Sequence, residues 1–339
     1  MSAAARALKF SNGVEIPIIG LGTYAPPEGN AREEAKEWFL TALKAIFLVD
    51  IQLSQCRLHI SRLDTVTLIP LPCMVCYQVL RRRHSPPGTE KSVGKALKES
   101  GLKREEVFVT TKIAWNHHGR VQEAFNDSLA NLDTEYIDLW LLHWPQQLAY
   151  EEGTLFLTNP DGTLKTVDYP TFVEVWADME RVFEQGKVRA IGVSNFSIKN
   201  FEILLKKAKI VPVNNQVEMH PYLQQNELKE YCEKRGIAIS AYTPSGYDVV
   251  RSDPVIVEIA KKHGVTPHQA IIAWHLTRDT VVITKSSNEQ RQKDNFNLPT
   301  LSDEDIQKIN ALDKGQRICN KADDKHGHVW GWSYEQLGW

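Results

Sequence analysis

The sequence predicts an α/β fold: a (β/α)8 TIM barrel preceded by an N-terminal β-hairpin, with the second barrel strand replaced by an anomalous segment. Three observations predict it. Short apolar runs alternate with amphipathic helical stretches along most of the 339 residues, which implies parallel strands joined by right-handed crossovers. Near the start, Asn12-Gly13 in "LKFSNGVEIP" separates two strand-like runs, a strong hairpin signal. No G-x-G-x-x-G follows any strand, which disfavours the doubly wound alternative.

After the hairpin, "IIGLGT" reads as a buried strand and "NAREEAKEWFLTALKA" as an amphipathic helix. "TEKSVGKALKES" is helical, and strands then follow in "VFVTTKI", "IDLWLLH", "RAIGVSN", "PVNNQVE", "IAISAYT" and "TVVITKS", with helical segments between them. That makes seven barrel strands where the fold needs eight. The gap falls between the helix ending near Ala45 and the one starting near Thr89. With no linker or low-complexity block, the expectation is one domain over 1–339, with 46–87 as an anomalous replacement inside it.

Composition narrows the function. A chain that is 42% hydrophobic and 24% charged, with formal net charge -2, can bury a full core. The near-neutral balance leaves no footprint for nucleic acid or an anionic membrane surface. Five irregularly spaced cysteines form neither a zinc pattern nor a secreted disulfide framework, so no metal is expected and a reducing compartment is favoured. "MSAAARALKF" lacks the apolar core of a signal peptide, and no segment reaches the roughly 18 apolar residues of a membrane span. A cytoplasmic monomer is the expectation.

The active site of such a barrel forms at the C-terminal ends of its strands. Here those ends are polar: Lys112, His143, Ser194 with Asn195, Gln216, Tyr242 and Lys285 close six different strands. A lone buried His or Lys is more often satisfied structurally than catalytic; six such ends favour a shared pocket.

The blocks "GLGTY", "VFVTTK", "YIDLWLLHWP", "IGVSNF", "NQVEMHPYLQQ", "AYTPSG" and "ITKSSNEQRQKDN" resemble the signature blocks of the aldo-keto reductase family. The resemblance covers nearly the whole chain apart from 46–87. It implies reduction of aldehydes or ketones with NADPH by a tetrad of Asp, Tyr, Lys and His. In that chemistry a Tyr hydroxyl protonates the carbonyl oxygen while hydride reaches the carbon. A free phenol near pKa 10 is a poor acid at neutral pH, so a neighbouring Lys must lower it and an Asp must hold the Lys. A neutral His orients the substrate oxygen.

By resemblance Lys112 and His143 are the Lys and the His. Gly22, Thr23 and Thr243 are implied on the cofactor, Tyr242 stacks on the nicotinamide, and Ser194, Asn195 and Gln216 hold its carboxamide. Lys285, Ser286 and Arg291 resemble the clamp for the adenosine 2′-phosphate; a planar guanidinium beside an ammonium suits that dianion and favours NADP over NAD. Asp294 stands where the family usually has Glu, Asn295 matches the adenine-side Asn, and Thr284 replaces the usual Pro. Tyr24, Trp115 and Trp144 are implied at the substrate mouth, with Trp115 one residue later than the commonest spacing. The tail "HVWGWSYEQLGW" resembles the C-terminal loop that closes over substrate.

In the gap the family has a block like "AGYRHIDTAxxYGNEKEVG", which carries the catalytic Asp and Tyr. "GTEKSVGKAL" supplies its end, but Arg82 and Pro87 occupy the offsets of Asp and Tyr. Proline has no hydroxyl, and Arg would repel Lys112. However, one permitted set of codons for "DTVTLIPLPCMV", Asp64 to Val75, reads as "YRHFDTAAMYG" once its first two bases are dropped. Val75-Cys76 can be GTA TGT, typical of an intron's 5′ end, and Pro87-Gly88 can be CCA GGT, which contains the CAG that typically ends one. Removing the bases between them joins Tyr-Gly to "TEKSVG" in frame. The expectation is a retained intron behind an upstream frame error between Ile46 and Leu63. Such a chain would be catalytically impaired, irregular over Ile46 to Pro87 and poorly folded, because an open barrel exposes strand edges. A genuine insertion loop of about forty residues is the plainer alternative, although unstructured loops that long are uncommon. A non-catalytic NADPH-binding sensing or regulatory module on the same barrel is the functional alternative. Sequencing the transcript across codons 46–88 tests the frame: a mature message encoding "YRHFDTAAMYG" is expected, and messages that all encode "DTVTLIPLPCMV" would refute it.

Overall fold

Gly13 takes φ 86° and lets the chain reverse after Phe10. Strand β1 (Ala7–Lys9) thereby pairs antiparallel with β2 (Glu15–Pro17), as the Asn-Gly signal predicts. The computed structural model describes residues 6–24, 34–44, 73–76, 89–152, 154 and 156–339. Helix α1 covers 34–44 within them.

Eight parallel strands close into a barrel: β3 (Ile19–Gly22), β4 (Cys73–Cys76), β5 (Val107–Ile113), β6 (Ile137–Leu142), β9 (Val188–Ser194), β10 (Asn214–Glu218), β11 (Ala238–Tyr242) and β12 (Val281–Thr284), which returns to β3. Two further strands, β7 (Gln147–Leu148) and β8 (Thr166–Val167), form a separate ribbon in the loop after β6. All seven strands expected from sequence are present.

The eighth strand corrects an expectation. The barrel is closed, because β4 pairs Gly20 with Met74 and Gly22 with Cys76 on one side, and Cys73 with Val107 through Cys76 with Thr110 on the other. The anticipated open edges, and the poor folding argued from them, do not follow; nor is 73–76 irregular. Parallel pairing draws on backbone N–H and C=O groups that every non-proline residue carries, so a four-residue apolar run suffices. "CMVC" is too short to stand out from its surroundings. The remainder of 46–87, including Arg82, Pro87 and Tyr77, lies outside the described residues.

The strand period of two decides which side chains enter the barrel. On β5, Val107, Val109 and Ile113 join the outer core with the helices, while Phe108 joins the inner one; Lys112 shares Phe108's parity. On β6, Leu139 and Leu141 face inward and Trp140 and Leu142 outward, so His143, one residue past the strand, continues the inner face. Ser194 follows Ala190 on β9 in the same way. Phe10 and Ile16 from the hairpin join these inner residues. Gly192 is required where β9 approaches its neighbours: a Cβ there would lie 2.7 Å from the Asn214 carbonyl oxygen and 2.8 Å from Leu141 Cδ2.

Around the barrel run α2 (Glu90–Ser100), α3 (Val121–Leu132), α4 (Phe172–Glu184), α5 (Ile198–Leu204), α6 (Asn226–Glu233), α7 (Tyr247–Arg251), α8 (Pro254–His263), α9 (Pro267–Thr277), α10 (Glu289–Asp294) and α11 (Asp303–Asn310). Capping boxes start α4 at Thr171 with Glu174 and α9 at Thr266 with Gln269, and satisfy first-turn N–H groups. Helix α11 went unread in the sequence although Ser302 and Asp305 form the same motif. Across the outlying segment, the Thr89 hydroxyl donates to the Thr23 carbonyl at 3.0 Å in the interior, fastening the start of α2 to the end of β3.

His275 of α9 is fully buried and its Nε2–H donates to the Pro244 carbonyl at 2.9 Å. Burial pushes it from 6.5 down to about 3. Between those values the unfolded chain binds a proton that the folded chain does not, so its stability contribution is whole above pH 6.5 and declines as pH falls toward 3. His275→Gln should flatten the pH dependence of unfolding free energy over pH 4–6 by about 1.4 kcal/mol per pH unit, one proton's worth, as read from denaturant melts; an unchanged slope would contradict this.

Candidate active site

Lys112 and His143 are each 2% exposed and sit on the inner face at the strand ends. Burial first, then the Lys112 ammonium and His118, hold the His143 imidazole well below its ordinary value. It is therefore neutral at physiological pH, able to hydrogen-bond a carbonyl oxygen without competing for charge. The Trp115 ring stacks on His143 with centroids 4.9 Å apart and meets Trp144 edge-on at 6.1 Å. Trp115, one residue later in sequence than the commonest family spacing, thus packs against both His143 and Trp144.

The tail completes this aromatic wall. Trp330 stacks on Trp115 at 5.3 Å and Trp339 lies 5.8 Å from Trp144. Trp330 occupies the turn between β13 (His328–Val329) and β14 (Trp332–Ser333), and α12 (Tyr334–Leu337) follows. Tyr24 is half-buried just beyond β3 and is not among the rings that stack on Trp115.

A second group of side chains forms one hydrogen-bonded platform. The Ser194 hydroxyl donates to the Gln216 carbonyl at 2.7 Å, and Asn195 Nδ2 donates to the His143 carbonyl at 3.0 Å. The Tyr242 hydroxyl donates to Asn195 Oδ1 at 2.6 Å. Burial, then the nearby Glu218, push the Tyr242 phenol well above its usual value, so it stays a donor. Asn195 and Thr243 adopt φ 64° and 50°. For a β-branched residue such as Thr243 this is a strained conformation, of the kind retained at ligand-holding sites.

Lys285, Ser286, Arg291, Asp294 and Asn295 line a cavity of about 510 Å³. Asn288 caps α10 by accepting from the Arg291 N–H at 3.0 Å, which sets that turn against the cavity. The departure at Thr284 has a structural use: its Oγ1 accepts from Asn295 Nδ2 at 2.9 Å and donates to the Gly20 carbonyl at 3.2 Å, orienting Asn295. Asp294 accepts from Gln290 at 2.8 Å within its own helix. Gly22 packs where a Cβ would come within 3.3 Å of the Thr284 carbonyl, and Thr23 beside it is fully buried.

The sequence reading missed several groups. Arg251 and His268 also line the Lys285–Arg291 cavity; burial, then Arg251, draw His268 down to about 4, so it is neutral there. Glu218, fully buried at the end of β10, accepts the N–H groups of Ile318 at 2.6 Å, Cys319 at 2.8 Å and Asn320 at 3.1 Å, and faces His220 Nε2 at 3.1 Å. Burial alone would raise its carboxyl, but His220 and the backbone donors outweigh it and hold it below the usual range. A carboxylate inside the apolar rhythm of "NQVEMH" was the available signal, since a buried charge requires partners.

Residues 86–314 match the family model described as the aldo/keto reductase family. The chain belongs to this family. The match begins two residues before "GTEKSVG" and spans Lys112, His143, the Asn195–Tyr242 platform and the Lys285–Arg291 cluster. Among relatives, the chain is 38% identical over 318 residues to glycerol 2-dehydrogenase (NADP(+)) of Saccharomyces cerevisiae, covering 91% of this chain and 90% of that one. It is 34% identical to glyoxal reductase of Bacillus subtilis, covering 94% and 96%. Among solved structures, the aldose reductase of Schistosoma japonicum superposes with a TM-score of 0.76 at 30% identity, covering 93% of this chain and 94% of that one.

As an aldo-keto reductase the protein is an NADP-dependent oxidoreductase, and the built site fits the group. Lys285 and Arg291 offer cationic donors to a phosphate dianion at one end, and the Asn195–Tyr242 pair offers amide and ring surface at the other. Of the described helices, none is long and apolar enough to cross a membrane. Because Glu218 anchors the beginning of the tail, Glu218→Gln should raise amide hydrogen exchange at 318–320 by about 10- to 100-fold, the loss expected for charge-assisted bonds; exchange within twofold of the unaltered chain would disprove the anchoring.

Proposed function

We propose that this protein is a single-domain cytoplasmic reductase over 1–339, acting as a monomer to convert a small aldehyde or ketone to the alcohol with NADPH, and that the chain as written does so slowly. What carries the reading is the convergence of buried Lys112 and neutral His143 with the Asn195–Tyr242 platform at one barrel mouth. The relatives named for glycerol, with NADP(+), and for glyoxal support small polar carbonyls as the substrate class.

NADPH, when bound, supplies the hydride. The chain's own residues do the rest. Ser194, Asn195 and Gln216 hold the carboxamide, Tyr242 covers the ring, and Arg291, with Lys285 and Ser286, grips the 2′-phosphate as a planar fork. Asp294 and Asn295 border the adenine, with Gly22, Thr23 and Thr243 as close-approach backbone. His143 orients the carbonyl oxygen, and Trp115, Trp144 and Tyr24 with the tail rings exclude water and admit the substrate. Lys112 serves to lower a phenol's pKa.

The phenol and the carboxylate of the tetrad are the parts encoded by "YRHFDTAAMYG" in the alternative frame. General acid catalysis contributes about 10²–10⁴-fold, so a chain in which "YRHFDTAAMYG" stands directly before Thr89 should reduce an aromatic aldehyde at least 10²-fold faster than the chain as written. Equal turnover would remove the proposed impairment, and failure of both to reduce any aldehyde would remove the reductase reading. The intact cofactor side beside a missing proton donor also suits a non-catalytic NADPH sensor, which tight NADPH binding without reduction by the restored chain would favour. Cofactor choice is checked separately: Arg291→Ala should weaken NADPH binding about 10- to 100-fold and leave NADH within twofold, as measured by cofactor fluorescence.

A further inference from the structure

Trp330 has φ 52° and Gly331 has φ 90°, the two central positions of the β13–β14 turn. Such turns favour Asn and Gly because both positions need positive φ. A bulky Trp there is a conformational cost that its surroundings must hold in place. Its ring is held by stacking on Trp115 and Phe156, and its polar edge by Asn320: Trp330 Nε1 donates to Asn320 Oδ1 at 3.3 Å. The same side chain turns its Nδ2 the other way and donates to the Tyr242 hydroxyl oxygen at 2.6 Å.

The bonds run on from there. The Tyr242 hydroxyl donates to Asn195 Oδ1 at 2.6 Å, and Asn195 Nδ2 donates to the His143 carbonyl at 3.0 Å. From Trp330 a second path reaches the same histidine through rings, Trp330 on Trp115 at 5.3 Å and Trp115 on His143 at 4.9 Å. Asn320 is thus where the tail's aromatic wall meets the platform. Only 9% exposed, it is pinned by its own N–H to Glu218 at 3.1 Å. The chemistry at this position demands a short primary amide. The Tyr242 oxygen, having spent its proton on Asn195, needs a donor, and the indole N–H needs an acceptor. Asp lacks the donor; Leu lacks both.

We propose that Asn320 is a positioning residue that ties occupation of the nicotinamide slot to the substrate wall. It holds the Tyr242 ring at the slot and Trp330 over Trp115 through one side chain. The inference rests on the cofactor reading above and deepens it.

The test uses the full chain, with NADPH and 2′,5′-ADP as ligands and hydrogen exchange of 328–333 as the readout of the wall. The 2′,5′-ADP probe fills the Lys285–Arg291 end and cannot reach Tyr242. In the unaltered chain, NADPH should slow exchange at 328–333 about tenfold and 2′,5′-ADP should not. Asn320→Leu should weaken NADPH about tenfold, abolish that protection, and leave 2′,5′-ADP within twofold. Asn320→Asp, of the same size, should weaken NADPH similarly. Unchanged NADPH affinity and protection in both Asn320 variants would overturn the inference and leave the cofactor reading standing. Equal loss of 2′,5′-ADP binding in both would also overturn it, by showing a role in the fold at large. Failure of the unaltered chain to bind either ligand would overturn the cofactor reading and the inference together.

Discussion

Closure of the barrel is the constraint on which the site depends. A parallel strand presents its side chains alternately inward and outward, and only in a closed ring do the inward ends of non-neighbouring strands face one another. Lys112, His143, Ser194 and Tyr242 leave four different strands. They form one site because β3 and β5 are both paired to Cys73–Cys76, so the ring has no break. Each inward residue is also backed by a neighbour in the outer core, Val109 and Ile113 behind β5 and Trp140 and Leu142 behind β6. The same apolar burial that stabilises the fold therefore fixes the strand register, and a slip of one residue would turn the polar ends into the helical layer.

The electrostatics follow from that burial. A site for a polyanionic cofactor and a neutral carbonyl needs positive charge at one end and uncharged donors at the other. Here Lys285 and Arg291 stand at the open cavity, where solvent limits the cost of their charge, while His143 sits in the interior, where burial and Lys112 keep it neutral. Glu218 is the exception, a carboxylate kept ionised inside the protein by three backbone N–H groups and His220. Its charge holds the tail, so the aromatic wall is tethered to the end of a barrel strand.

What was legible in the sequence divides along physical lines. Long apolar runs ending in a polar residue identify themselves, and the seven strands with Lys112, His143, Asn195 and Tyr242 were read in this way. Contacts made by the tail were not legible, because Asn320 meets Tyr242 across 78 residues of chain and nothing local marks the pair. Helix α11 was overlooked although Ser302 and Asp305 signal its start, and Arg251 and His268 went unread because they reach the cavity from helices whose own patterns concern packing. The short β4 was missed for a different reason: four apolar residues carry no period.

That last miss separates shape from chemistry. Pairing β4 to its neighbours draws on backbone N–H and C=O groups, which "CMVC" supplies as well as any apolar strand would. Lowering a phenol's pKa and holding an ammonium draw on specific side chains at specific offsets, which a frame change alters at every position. A chain can therefore close its barrel through Cys73–Cys76, and bury Lys112 and His143 and build its Asn195–Tyr242 platform with residues outside 46–87, without that closure itself supplying a proton donor. Closing the ring is thus a property of backbone pairing and proton donation a property of particular side chains, so the first does not imply the second.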